Sequence, residues 1–152
     1  MSLESDAAAL RKIPLFRNVD DQKLRLLAFL SERVRFDAGE NLVEEGDFGD
    51  TAYIILAGNA DVVIQSVNGE QLVATVKEND IVGEIAILID VPRTATVRAT
   101  SDLVALAVSK EHFFKLLTNF PDMAVEVMRA LAHRLERTTR EFGRLRAALA
   151  DG

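Results

Sequence analysis

Ile81-Val82-Gly83-Glu84-Ile85-Ala86-Ile87-Leu88-Ile89-Asp90-Val91-Pro92-Arg93-Thr94-Ala95-Thr96-Val97 is the stretch on which the fold turns. Apolar residues crowd Ile85 to Ile89 without the alternate spacing of a half-buried strand and without a turn residue, until Asp90-Val91-Pro92 stops the run. The reading is a loop leading into a short helix. Gly83-Glu84 stands at its start and Pro92-Arg93-Thr94-Ala95 beyond its end, so a carboxylate and a guanidinium nine residues apart bracket one compact segment.

On both sides of that segment the apolar period is two. Val34/Phe36, Leu42, Tyr53 to Leu56, Val62 to Ile64, Leu72 to Val76, Thr94 to Arg98 and Val104 to Val108 read as short strands. Turn signals separate them at Asp37-Ala38-Gly39, Glu45-Gly46-Asp47, Gly58-Asn59, Asn68-Gly69 and Glu78-Asn79-Asp80. Strands so closely spaced leave no room for the helical crossovers of a parallel sheet. The predicted fold is therefore mainly β with flanking helices (α+β), an antiparallel β-roll of the jelly-roll type, or double-stranded β-helix.

Three segments follow from this punctuation. Residues 1–33 are helical: Ala7 to Lys12 form a short helix stopped before Pro14, and Asp20 caps an amphipathic helix carrying Leu24, Leu27, Ala28 and Leu30. Residues 34–108 form the roll. Residues 109–152 hold two helices, one capped by Ser109 and running through Leu117, the other much longer and starting at Pro121. In the long helix Ala124, Met128, Leu131, Leu135, Thr138, Phe142, Leu145 and Leu149 recur in alternating steps of four and three, the seam of a two-stranded coiled coil. Packing on a globular body usually takes a wider stripe. The expectation is a homodimer through this seam, with Thr138 as its polar member. Phe113, Phe114 and Phe120 are expected in the core beneath the last helices.

Composition bounds the chemistry. A chain of 152 residues with 49% hydrophobic and 28% charged residues suits one globular domain. It has no cysteine, which excludes disulfides, thiolate metal sites and a cysteine nucleophile, and is compatible with a reducing cytoplasm. No apolar run approaches the roughly 18 residues of a membrane span, so no membrane role and a cytoplasmic location are expected. The net charge of −6 opposes direct DNA binding by this chain. Charge is nonetheless uneven, with six arginines between Arg129 and Arg146 against Glu136 and Glu141. These form either a solvated helix face or a surface for an acidic partner. His112 and His133 are too far apart, and too poor in neighbouring carboxylates, for a metal site.

The bracketed helix carries the chemistry. A helix start presents unpaired N–H groups, so the backbone from Gly83 through Glu84, Ile85 and Ala86 offers donors to an anion, and Arg93 supplies the matching charge. A guanidinium suits phosphate because its planar fork binds two oxygens at once. Glu84 would repel a phosphate, and is better placed to accept a hydroxyl, as a carboxylate does in ribose recognition. Phosphate together with a sugar hydroxyl means a nucleotide.

The strings Gly83-Glu84-Ile85-Ala86-Ile87-Leu88 and Pro92-Arg93-Thr94-Ala95-Thr96-Val97 closely resemble the phosphate-binding cassette of the cyclic-nucleotide-binding domain family. Upstream, Gly46-Asp47-Phe48-Gly49-Asp50, Tyr53-Ile54-Ile55 and Gly58 resemble the turn, strand and turn that precede the cassette. The resemblance implies that the short helix is a phosphate-binding helix, that Glu84 holds the ribose 2′-hydroxyl and that Arg93 holds the cyclic phosphate. Val73 and Val76 on the preceding strand join the expected ligand-binding set. Val82 stands where Phe is common in the family, and Asn79 where Gly usually precedes Asp; asparagine tolerates the positive φ that the glycine would supply.

The last helix is similar to the dimerisation helix of the bacterial catabolite activator group over Arg134-Leu135, Thr138-Thr139 and Gly143 to Leu145. That likeness implies that Thr138 and Thr139 touch an adenine, one from each subunit of a dimer. Thr94, by contrast, follows the cassette Arg as in cGMP-dependent kinases, where its hydroxyl favours guanine. The resemblance implies cAMP or cGMP as the ligand, with cAMP preferred, and no resident cofactor or metal is expected. Occupancy is expected to pass through the C-terminal helix. An enzyme would need a metal cluster or an activated nucleophile, neither of which is visible, and a scaffold that had lost its ligand would not keep Glu84 and Arg93. The chain is expected to be a non-catalytic sensor, either stand-alone or part of a longer transcription factor, kinase or channel.

Overall fold

Strand β3 (Thr51–Ala57) shows how a period of two builds this molecule. Ala52 and Ile54 are fully buried against a helical layer, while Tyr53 and Ile55 face the space between two sheets. Its neighbour β8 (Leu103–Ser109) divides in the same way, with Leu106 and Val108 toward the helices and Leu103 and Ala105 toward the interior. One alternating pattern thus feeds two cores.

The computed structural model describes residues 3–151; Met1, Ser2 and Gly152, which end the first and last predicted segments, lie outside the described residues. The remaining strands are β1 (Glu32–Phe36), β2 (Asn41–Val43), β4 (Ala60–Ser66), β5 (Gly69–Val76), β6 (Ile81–Val82) and β7 (Thr96–Ala99). Two four-stranded antiparallel sheets result, ordered β1-β8-β3-β6 and β2-β7-β4-β5. They are the two walls of the predicted roll. Between them lie Leu42, Val43, Ile55, Val82, Val97 and Leu103.

The helices are α1 (Leu3–Arg11), α2 (Asp21–Leu30), the short α3 (Glu84–Leu88), α4 (Lys110–Asn119) and the 31-residue α5 (Pro121–Asp151), with a 3-10 turn at Pro14–Phe16. The predicted caps are in place: Asp20 accepts from the Gln22 N–H and Ser109 from the His112 N–H. Leu10, Phe16, Leu24, Leu27 and Phe113 form the helical core, where Phe16 and Phe113 meet edge to face at 5.9 Å. Half-buried Arg33 of β1 pairs with Asp6 and ties α1 to the roll.

Four details differ from the sequence reading. Helix α1 starts at Leu3 rather than Ala7. Strand β7 starts at Thr96 rather than Thr94, because the Arg93 backbone is committed to the 44–50 loop. Strand β6 was not foreseen, since two residues carry no period. Phe114 is exposed and Phe120 half-buried, so that of the three aromatics Phe113 alone is core; Phe113 and Phe114 are adjacent, and one helix face cannot bury both.

Helix α5 has two faces of different fate. Met123 and Val127, off the predicted seam, are buried against the body, with Ala130 and Leu131 packed beside them. Met128, Leu135, Phe142, Leu145 and Leu149 are 59–74% exposed. Every residue from Ala132 to Ala150 is exposed, so this part of the helix leaves the body.

Candidate functional site

Arg93 is anchored from both sides of its own peptide. Its N–H donates to the Asp47 carbonyl at 2.8 Å, and its carbonyl accepts from the Gly46 N–H at 2.9 Å. The Glu45 N–H adds a bond to Thr96 Oγ1 at 2.9 Å. The turn around Gly46 and the cassette are therefore one hydrogen-bonded unit, although they are far apart in sequence.

The side chain is held as firmly. Arg93 Nη2 donates to the Thr51 carbonyl at 2.8 Å and Nη1 lies 3.5 Å from the Gly83 carbonyl. Two glycines make the room: a Cβ on Gly49 would stand 2.5 Å from Nη2, and one on Gly83 would collide with Nη1. Gly83 also adopts the left-handed conformation (φ 78°) that caps α3 and is open to glycine. Among the described residues no carboxylate lies within ion-pair distance of the guanidinium. Burial pushes Arg93 below its usual range, opposed by Tyr53 and Asp50 at longer reach. Arginine keeps its proton even so, and a half-buried cation bonded to neutral carbonyls is a seat for an anion.

The cavity in front of it has a volume of about 190 Å³. Val62, Val76, Val82 and Val97 supply apolar walls, while Gly83, Glu84, Ile85, Ala86, Arg93 and Thr94 bring the polar rim. Of the expected site residues, these six and Val76 are gathered here. The Ala86 N–H already donates to the Gly83 carbonyl at 3.1 Å, so the amides of Glu84 and Ile85, which precede this first intrahelical donor, are the available ones. Asn79 has φ 73°, the left-handed backbone expected of it.

Three expected residues stand elsewhere. Val73 is the extra residue of a bulge in β5, where Val62 faces Ala74 and Val63 faces Leu72; it is 51% exposed and lines no part of the cavity. Thr138 and Thr139 lie on the exposed half of α5, outside the cavity. For Val73 the reason is positional, since a bulge shifts which residue faces inward; for Thr138 and Thr139 the helix has left the body before Thr138, where an expected contact across two subunits would lie.

The structure brings in a residue that the motif does not contain. Arg134 Nη2 donates to Glu84 Oε1 at 3.0 Å, and the Glu84 side chain is only 14% exposed. The carboxylate at the cavity rim is thus bonded directly to α5. The signal in the sequence was an arginine beside, not in, the apolar seam. A second cavity of about 330 Å³ continues from this point, sharing Val76, Ile81 and Glu84 with the first and bounded by Arg134 and Arg137. Among the described residues, no three side chains gather at metal-ligand spacing, and no helix is long and apolar enough to cross a membrane.

Known proteins resemble this chain in sequence and fold. The cyclic nucleotide-binding domain family model matches residues 33–120, more than half of the chain. A cAMP-dependent protein kinase regulatory subunit from Eremothecium gossypii is 37% identical over 120 residues, 79% of this chain and 25% of that protein; the chain spans about a quarter of the length of such relatives. Among solved structures, the N-terminal domain of a transcriptional regulator from Streptomyces coelicolor A3(2) superposes with a TM-score of 0.82 at 31% identity, covering 88% of this chain and 94% of that one. The regulatory domain of Toxoplasma gondii PKA with cAMP superposes with a TM-score of 0.72 at 27% identity, covering 75% and 44%. The chain belongs to the cyclic nucleotide-binding domain family and is a regulatory, non-catalytic binding module.

Proposed function

We propose that the chain is a cAMP-preferring sensor that reports occupancy through α5. The observation carrying this reading is Arg93, a half-buried guanidinium whose partners are backbone carbonyls, facing a cavity whose other rim is Glu84. The cyclic phosphate binds Arg93 and the amides of Glu84 and Ile85, the ribose 2′-hydroxyl binds Glu84, and Val76 packs on the ligand. The adenine preference is supported by relatives that are themselves named cAMP-dependent.

Transmission follows from the Arg134–Glu84 bond. A hydroxyl arriving at Glu84 meets a carboxylate that already holds α5, so ligand and helix share one group and the helix position depends on occupancy. Beyond it the exposed seam, Met128, Leu135, Thr138, Phe142 and Leu145, meets the same seam of a second copy, and the output is a change in the angle or stability of that homodimer. Residues 1–33, 34–108 and 109–152 then act as brace, receptor and transmitter, in the cytoplasm. The module serves a longer regulator or a partner protein.

Calorimetric titration with cAMP and cGMP tests the reading. Saturable binding of cAMP, lost in Arg93→Ala, is the expected result. Native chain that binds neither nucleotide, or an Arg93→Ala chain that binds as the native one does, contradicts it.

A further inference from the structure

We infer that Asn68 is a site of self-modification, where the chain cyclises onto its own backbone, releases ammonia and ends as isoaspartate or aspartate. The inference is independent of the nucleotide reading. An asparagine amide is open to attack by the backbone nitrogen that follows it, and most open where the following residue is glycine, since a Cβ would crowd the closing ring. Asn68-Gly69 is the one such pair among the six asparagines of the sequence.

The fold separates the six as clearly. The amides that follow Asn18, Asn79 and Asn119 belong to Val19, Asp80 and Phe120, and donate to the Phe16, Lys77 and Leu116 carbonyls at 3.1, 3.0 and 2.8 Å. Asn41 donates through Nδ2 to Glu44 and accepts from Arg98. Asn59 is followed by Ala60, which is buried in β4. Asn68 stands apart: its side chain makes no hydrogen bond among the described residues, and Val67, Asn68 and Gly69 are all exposed.

Gly69 lies at the open end of the β4–β5 hairpin, opposite Ser66 on the last rung, with φ 101° and open space where a Cβ would stand. One hydroxyl braces this turn. Ser66 Oγ accepts from the Asn68 N–H at 3.2 Å and donates to the Gly69 carbonyl at 2.9 Å. Fraying of the outermost rung frees the Gly69 nitrogen while the rest of the ladder holds.

The Gly69 nitrogen then bonds to Asn68 Cγ, the Cγ–Nδ2 bond breaks, and ammonia leaves with the proton that the attacking nitrogen gave up. A succinimide ring remains. Water adds to one of its two carbonyls: opening at the main-chain carbon leaves isoaspartate, whose chain runs through the side chain, and opening at Cγ leaves aspartate. Nothing is oxidised or reduced. Either product places a new carboxylate at the hairpin tip beside Glu70, and isoaspartate also lengthens the chain path, so the Ser66–Gly69 rung is lost. Val76, the β5 residue at the first cavity, lies at the other end of the strand, about 20 Å away at the rise of an extended chain. The mark therefore falls on the hairpin and spares the pocket.

The test is incubation of the native chain, Asn68→Gln and Ser66→Ala at mildly alkaline pH in heavy-oxygen water, followed by peptide mapping with mass spectrometry. In the native chain the peptide holding Asn68 is expected to exchange its amide nitrogen for a heavy oxygen, with isoaspartate as the main product. Conversion should be lost in Asn68→Gln, whose longer amide needs a larger ring, and should quicken several-fold in Ser66→Ala, whose turn frays more readily. Another asparagine converting as fast as Asn68, aspartate as the sole product, or a native chain that stays unconverted while the same chain in denaturant converts would overturn the assignment. A rate in Ser66→Ala at or below the native one overturns the part given to fraying.

Discussion

The roll and the last helix meet the same pocket in opposite ways. On the roll side Arg93 is bonded through its backbone to Gly46 and Asp47 and through its side chain to Thr51, with Gly49 and Gly83 shaped around it. On the helix side the bond to the cassette is Arg134 to Glu84, in a stretch of α5 that is exposed at every residue from Ala132 to Ala150. A group fixed by several mutually supporting bonds is preorganised, whereas a helix held by one ion pair and a short apolar face can be moved at small cost. On the function proposed above, the receptor is thus built before the ligand comes, and the transmitter is built to change.

Breaking the rigid side should have the largest effect. Arg93→Ala removes the anion partner and is expected to weaken cyclic-nucleotide binding by about 2 to 4 kcal/mol, measured by calorimetry, with little change in thermal stability. Gly49→Ala reaches the same group indirectly. Its Cβ meets the guanidinium, so Arg93 must leave the Thr51 carbonyl, and affinity should fall by about 1 to 2 kcal/mol while the circular dichroism spectrum stays native. Preserved affinity in Gly49→Ala means that the roll side is looser than described.

The mobile side should respond more gently. Arg134→Ala removes a partly exposed ion pair and is expected to cost less than about 1 kcal/mol of stability. Amide exchange in α5 should nonetheless quicken several-fold without ligand. The smallest effect lies far from the pocket, where Arg98 bonds both oxygens of Glu70 and holds β5 to β7. The hydrogen bond from Arg98 lowers the Glu70 pKa. Its contribution is present above the ordinary carboxylate value and lost as pH falls through the lowered one. Glu70→Gln should melt slightly earlier than native at neutral pH, and the difference should close below about pH 4.5.

The legible part of this molecule was the roll. Short strands punctuated by turn residues, a helix bracketed by Glu84 and Arg93, and an asparagine able to replace a glycine are local signals, and the structure places each where the local physics puts it. What stayed hidden was long-range. Nothing near Arg93 in sequence tells that Thr51 and Gly49 form its socket, and no local signal tells that a bulge in β5 falls at Val73, which was expected in the site. The long helix carried two superposed patterns. Its 3-4 seam was visible, yet the face that grips the body, Met123 and Val127, lies off that seam, and Arg134 reaches Glu84 from its flank.

Hydrogen exchange of α5 with and without saturating cAMP tests the central claim most directly, in the native chain and in Arg134→Ala. The account predicts that cAMP alters exchange across 121–151 in the native chain and that the alteration shrinks when Arg134 is gone. Saturable binding with unchanged exchange in α5 would contradict it: the roll would then bind a nucleotide without informing the helix.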